Sequence, residues 1–437
     1  MKELNDLAIE WAKAHKSELE AEYPKVYQAV GQSDAVYKGA PVPFLYVPKM
    51  FSPEDIQRFE AILENMFDVV NRTIELYQTE QVVRDFYQFD PRLEALILAD
   101  HGYDMNVPMG RFDIFYRNDG SFQFCELNTD GSSAMNEEQE LSQILTKTAF
   151  VEELGKTHKW KSFELFHSWV KTVEEIYGQF SGGKTKPHVA IVDFIDKGSP
   201  LEFQVFQKAF VDNGMDCTII DPRELTFKDG LLYANDQPVD VIYRRLVTRD
   251  LMDRYDEIPA LIQGIQAGKT CVVGPIKSQV VHTKKFFEAL HNETIRAFFT
   301  LDQLNFIDAH VPFTAPLTEV RERFLDHKDD FIIKPIDYYA SKGVCAGEDY
   351  TPEEWAKVLE SNVGDTYLIQ TYCKPALTDN LFFDNEGKMS VQAYRNITGM
   401  FVYGEKLCGI YSRAGLNAII SGIHDGYTLS TLLVEKA

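Results

Sequence analysis

A mixed α/β protein with a mainly helical leading region is the fold class that three observations in this 437-residue sequence predict. From Met1 to about Phe180 apolar residues recur at helical spacing, with one aromatic-rich hairpin set among them. From His188 onward short apolar runs alternate with helical stretches, the pattern of strands crossed over by helices above a parallel sheet. The chain closes on MFVY and KLCGIYSR around Gly404-Glu405, which reads as an antiparallel hairpin.

The elements follow in order. The charged opening stretch places Leu4, Leu7, Ala8, Trp11 and Ala12 on one helical stripe. It lacks the apolar segment of a signal peptide, and no run of 18 apolar residues occurs, so a soluble cytoplasmic protein is expected. RFDIFY and SFQFCELN are strand-like runs joined by the turn residues Asn118-Asp119-Gly120. SGGKTKP, Ser181 to Pro187, reads as a linker. HVAIVDF, EFQVFQKAFVDNG, CTIIDP and VDVIYRRLV then form a small parallel α/β unit. After a helical connection at Ile258 to Ala267, FFEALHNETIRAFF reads as helix and DDFIIKPID as strand. TPEEWAKVLE is a helix capped by Thr351 with Glu354 three residues on, and YLIQTYC is a strand. The expected units are 1–180, 188–250 and 260–437, in keeping with about three domains at roughly 150 residues each.

Composition narrows the function classes. Hydrophobic residues at 45% and charged residues at 25% exclude a disordered or fibrous chain. Lys+Arg 44 against Asp+Glu 67 leave a net charge of −23, a field that repels nucleic acid and anionic membrane and attracts cations. The six cysteines show no CxxC spacing, so neither a zinc site nor a disulfide framework is expected.

Four constellations carry candidate chemistry. Glu126 and Asn128 sit two apart on one predicted strand and so point to one face, with Asp113 near them on the paired strand. Two carboxylates and an amide carbonyl suit Mg²⁺ that keeps its other positions for water and phosphate; a solvated sheet face is the plainer reading of the same spacing. Arg111 and Arg117, in phase with Asp113, offer a fork for a carboxylate or phosphate. Lys334 ends an apolar strand before a flexible stretch with Ser341, Lys342, Gly343 and Gly347. That suits phosphate neutralisation under a mobile lid, or merely a lysine reaching solvent. Lys284 and Lys285 open a helix where cations oppose the macrodipole, a hint of anion contact. Arg413 ends a strand before a glycine-containing loop, where a guanidinium can stabilise charge on a transferring phosphoryl group.

Together these segments resemble the ATP-grasp synthetase region of glutathionylspermidine synthetase, without its amidase domain. RFD with CELN resembles that family's metal motif, and HTKKFFEAL its nucleotide-lysine helix. FIIKPIDYYASKG resembles its strand lysine and lid, YLIQTYCKP its adenine hinge, and MFVYGEKLCGIYSR its hairpin with the catalytic arginine. The resemblance implies an ATP-grasp fold in permuted order, with a Rossmann-like unit ahead of the nucleotide-binding region. It implies an ATP-dependent carboxylate–amine ligase that forms an amide through an acyl-phosphate. ATP and Mg²⁺ would be the cofactors, and a carboxylate or peptide and an amine or polyamine the substrates. Asp113, Glu126 and Asn128 would hold the metal, and Lys284, Lys334, Ser341, Lys342 and Gly343 the phosphates. Gln370 and the Tyr372 backbone would meet adenine, and Arg111 and Arg413 would be catalytic. A kinase-like phosphotransferase and a non-catalytic nucleotide-binding relative are the alternatives.

Overall fold

The computed structural model describes every residue except 1, 38, 199, 339, 340 and 422–425. Helices Lys2–Ala14, Lys16–Gly31 and Pro53–Thr79 lead the chain. The first buries Ala8, Ile9 and Ala12, while Leu7, expected on the inner stripe, is 46% exposed. Two alanines let the backbone lie close to the core, and Ile9 fills the space beside them while Leu4 and Trp11 pack at the edge. The long helix Pro53–Thr79 starts on a capping box between Ser52 and Asp55 with proline at its first position, which satisfies otherwise orphaned N–H groups.

Three sheets position the site. The small parallel unit runs Cys271–Val273, Val241–Arg244, Val189–Val192, Cys217–Ile220 across the sheet, so a fourth strand beyond residue 250 joins the three predicted ones. Val189–Val192 and Val241–Arg244 are buried along their whole length, as strands covered on both faces must be. A second, antiparallel sheet runs Thr314–Pro316, Tyr367–Thr371, Phe331–Pro335, Cys345–Ala346. Behind it packs helix Pro352–Asn362, opened by the predicted Thr351/Glu354 capping box and anchored by the buried Trp355.

The third sheet joins distant parts of the chain. The predicted ribbon, Met109–Tyr116 with Phe122–Asn128, turns at Gly120 with φ +83°. Its first strand pairs with Met389–Tyr403, which in turn pairs with Leu377–Phe383 and Lys406–Gly415. Gly404 and Glu405 both take left-handed backbone angles, φ +57° and +64°, the geometry of a two-residue hairpin turn. Along Met109–Tyr116 alternation puts Phe112 and Ile114 into the main core and Arg111 and Asp113 on the opposite face.

The helix predicted across Phe286 to Phe299 is broken into Lys285–Ala289 and Glu293–Arg296. Asn292 is the cause: its Oδ1 accepts from the N–H groups of Thr294 and Ile295, so it caps a new helix instead of continuing the old one. Among the described residues no helix is long and apolar enough to cross a membrane.

Candidate functional site

The polar face of the ribbon is a closed charge network. Asp113 stands directly opposite Glu126, and Arg111 opposite Asn128. Arg111 Nε donates to Asp113 Oδ1 at 2.9 Å, and its Nη1 donates to the Ser133 carbonyl at 3.0 Å. Arg413 Nη2 donates to Asp113 Oδ2 at 2.7 Å, and Asn128 Nδ2 reaches both Asp113 Oδ2 and Glu126 Oε1. Asp113 is 0% exposed, so its charge is neutralised by the two guanidiniums and not by water. Room for this comes from Gly399 on the neighbouring strand, where a Cβ would lie 2.5 Å from Asp113 Oδ1 and 2.8 Å from Arg111 Cδ. Both guanidiniums lie over the Tyr411 ring, at 5.3 and 5.7 Å.

On the same face Glu126 borders a cleft of about 930 Å³ measured out to its open mouth. Burial alone would raise its carboxyl, yet Lys284, Lys334, Arg413 and Arg111 together bring it down to about 2. The structure brings Glu126, Asn128, Lys284, Lys334, Ser341, Gln370, Tyr372 and Arg413 together on the walls of this cleft. Lys334 Nζ donates to the Cys125 carbonyl at 3.2 Å, and Lys284 Nζ to the Tyr338 carbonyl at 2.8 Å. Burial lowers the pKa of Lys284, and Glu126 opposes that shift. Gln370 Nε2 donates to Thr314 Oγ1 at 2.9 Å. The Tyr372 N–H goes to the Asp330 carbonyl, and its hydroxyl donates to the Ala418 carbonyl at 3.1 Å, which ties the 415–421 loop to the cleft.

Other expected residues stand elsewhere. Asp113 and Arg111 lie behind the lining, and Lys342 and Gly343 lie outside it. Arg117 does not share the Asp113 face: the strand ends at Tyr116, and the guanidinium turns to Gln123 Oε1 and the Lys374 carbonyl. Within the proposed lid, Tyr339 and Ala340 fall outside the described residues. Cys345–Ala346 pairs with Ile332 and Ile333, and a Cβ on Gly347 would meet the Lys328 carbonyl at 2.0 Å, so this end of the stretch is packed into the sheet. Residues that local reading missed are His282 and the apolar wall of Phe115, Ile332, Ile397, Ile419 and Ile420. Phe115 was within reach of the alternation argument, being in phase with Asp113; the others carry no local signal.

Among the described residues no three His, Cys, Asp or Glu side chains gather to hold a metal. Toward the cleft the ribbon offers instead the Glu126 carboxylate and the Asn128 amide; Asp113, expected as a third ligand, has both oxygens committed to Arg111 and Arg413. That sparse oxygen set fits Mg²⁺, which takes its remaining ligands from water and phosphate. The Asn128 amide presents oxygen to a cation after a half-turn about its terminal bond. A cationic cluster over an acidic floor, beside an apolar wall with one buried amide, matches a polyphosphate joined to a flat heterocycle.

A family model described as circularly permuted ATP-grasp type 2 matches residues 103–380. The chain belongs to that family. The ATP-grasp fold expected from the motifs is therefore the fold of this protein, with the ribbon preceding both the helix start at Lys284 and the strand that carries Lys334. A glutathione synthetase-like effector, GSS30, from Globodera pallida superposes on this ATP-grasp chain with a TM-score of 0.56 at 13% identity. That superposition covers 95% of this chain and 96% of the other. A putative glutamate–cysteine ligase 2-3 from Frankia alni (strain DSM 45986 / CECT 9034 / ACN14a) is 23% identical over 189 residues. That match takes in 41% of this chain and only 21% of the length of the relative.

Proposed function

We propose that this ATP-grasp protein is an ATP-dependent carboxylate–amine ligase of the glutathionylspermidine synthetase kind, forming an amide through an acyl-phosphate. One observation carries the reading: the ribbon's Glu126 and Asn128 and the ammonium groups of Lys284 and Lys334 meet across a single cleft. A carboxylate is a poor electrophile; phosphorylation gives it a leaving group that an amine can displace.

In this reading Glu126 and Asn128 would hold Mg²⁺ from the cleft side, backed by Asp113, whose oxygens accept from Arg111 and Arg413, and the metal would offset triphosphate charge. Lys284 and Lys334 neutralise phosphate oxygens, with Ser341 on the same wall and Lys342 and Gly343 in the adjoining turn. Gln370 and the Tyr372 main chain meet adenine. Arg413 and Arg111, fixed in orientation by Asp113, stabilise negative charge as the phosphoryl group moves and as the tetrahedral adduct collapses. Tyr338, Ile419 and Ile420 keep water from an acyl-phosphate that hydrolysis would waste. The net charge of −23 supports a cationic amine, such as a polyamine, as nucleophile.

A screen of ADP release over pairs of carboxylic acids and amines tests the reading. ADP formation that requires both partners supports it. ADP with a stable phosphorylated product and no amine requirement assigns a phosphotransferase instead, and nucleotide binding with no ADP from any pair assigns a non-catalytic binder. Arg413→Ala is expected to cut turnover by on the order of 10²–10³ while nucleotide affinity, followed by calorimetry, holds. Lys334→Met is expected to weaken nucleotide binding itself, which the same titration reads directly.

A further inference from the structure

An ammonium nitrogen has no lone pair with which to attack a carbonyl carbon, so the ligase reading above calls for a group in the cleft that takes a proton at neutral pH. Few lining side chains can. Lysine and arginine are already protonated there, and so are phenols. Against burial, the surrounding cations hold the Glu126 carboxyl at about 2, which makes it too weak a base. Burial pushes the Cys125 thiol up to about 12 and the Cys373 thiol up to about 11, so both keep their protons. What remains among the described residues of the wall is one imidazole, that of His282.

Its position is fixed from two sides. Thr129, next to Asn128 at the end of the ribbon, donates from Oγ1 to the Ser278 carbonyl at 3.0 Å, and Ser278 leads into the short helix Gln279–His282. On the other side Thr283 Oγ1 and the Lys284 N–H both donate to the Ile336 carbonyl at 3.2 Å, one residue past the strand that carries Lys334. His282 therefore stands between the Asn128 end of the ribbon and the two lysines, and it shares the cleft walls with Glu126 and Arg413. Its Nδ1 is closed to solvent and meets no hydrogen-bond partner among the described residues, so nothing on that nitrogen fixes the ring's tautomer. The buried carboxylate of Asp130, ion-paired with Arg244 at 2.5 Å, is within electrostatic range of the ring and offsets charge that a transferred proton brings. Lys284, Lys334 and Arg413, on the same walls, press that proton to leave again.

We propose that His282 is a further catalytic residue, whose imidazole takes a proton from the incoming nucleophile, with a primary aliphatic amine as the ligand class. The proposal rests on the ligase reading. Transfer of one proton from R–NH₃⁺ leaves R–NH₂ and an imidazolium. The amine lone pair then forms the C–N bond at the acyl carbon, and the C–O bond to phosphate breaks with its electron pair. A second nitrogen proton leaves on the phosphate, and the third stays as the amide N–H. His282 returns its own proton to solvent through the open mouth of the cleft.

The test sets two nucleophiles against each other on His282→Gln, with the acid that the ADP-release screen returns. Hydroxylamine is largely neutral at pH 7 and already has its lone pair; the primary amine from the same screen, spermidine being the first tried, arrives protonated. The ratio of amide to hydroxamate formed is expected to fall by about 10²–10⁴ from wild type. A ratio cancels any loss common to both reactions, such as weaker nucleotide binding or partial unfolding. The deficit is expected to shrink as pH rises, because more of the amine then arrives neutral. In His282→Ala, added imidazole is expected to restore part of the amide rate, which a merely structural role does not allow. An unchanged ratio, or a lowered one that neither higher pH nor imidazole raises, overturns the assignment and leaves the ligase reading standing. If the wild-type protein forms an amide with no primary amine, the assignment falls; if it forms no hydroxamate either, the ligase reading falls as well.

Discussion

Asp113→Ala is expected to lower the free energy of unfolding by about 3–5 kcal/mol, the cost of leaving buried cations without their counter-charge. Asp113 accepts from Arg111, Arg413 and Asn128, and it is closed to water. Without it the two guanidiniums stand near each other over the Tyr411 ring with no anion between them. Urea unfolding followed by circular dichroism measures the loss. ADP release falls with it, since both arginines lose the group that aims them. An alanine variant within about 0.5 kcal/mol of wild type would mean that the clamp does not support the sheet.

Glu126→Gln is expected to remove turnover by a different route, by on the order of 10³ or more, with ATP still bound. The amide keeps the shape of the side chain but not the charge that offsets Lys284, Lys334, Arg413 and Arg111. A triphosphate can satisfy those cations in its place, so calorimetry should record ATP binding that no longer gains from added Mg²⁺. The pH dependence of stability separates the two forms further. The Glu126 carboxyl is depressed from 4.5 to about 2, so its contribution is fully present above pH 4.5 and is lost as pH falls through about 2. Wild type is therefore expected to exceed Glu126→Gln in unfolding free energy at neutral pH, with the gap closing between pH 4.5 and 2. A constant gap, or wild-type turnover in the variant, would take Glu126 out of the metal set.

What could be read from residues alone was what local chemistry controls. The Asn118-Asp119-Gly120 turn and alternation were enough to bring Asp113 within about one residue of Glu126, because one β-ribbon contains both; the register shift between Asp113 and Ile114 that sets the two directly opposite carries no such signal. The Thr351/Glu354 box was equally local. Burial of Asp113 was not legible, since it depends on Gly399 and Arg413, which reach the ribbon only through sheet pairing. The apolar wall at Ile419 and Ile420 was hidden for the same reason: nothing near them in sequence says that Tyr372 will tie their loop across the cleft. Arg117 failed for a simpler cause, because alternation holds only while the strand lasts. Asn292 could have been weighed as a cap; the apolar periodicity on either side of it hid the break.

The 300 positions that separate Asp113 from Arg413 also set a timetable for synthesis. A nascent chain threads its acidic ribbon out of the ribosome long before the strand that will seal it, and Asp113 stays hydrated in the meantime. Even the stretch that defines the family, residues 103–380, ends before Met389–Tyr403 and Lys406–Gly415 have been made. An unfinished polypeptide consequently lacks both Arg413 and the strands that bury Asp113, and the pairing that closes this polar face is a late, long-range event in maturation.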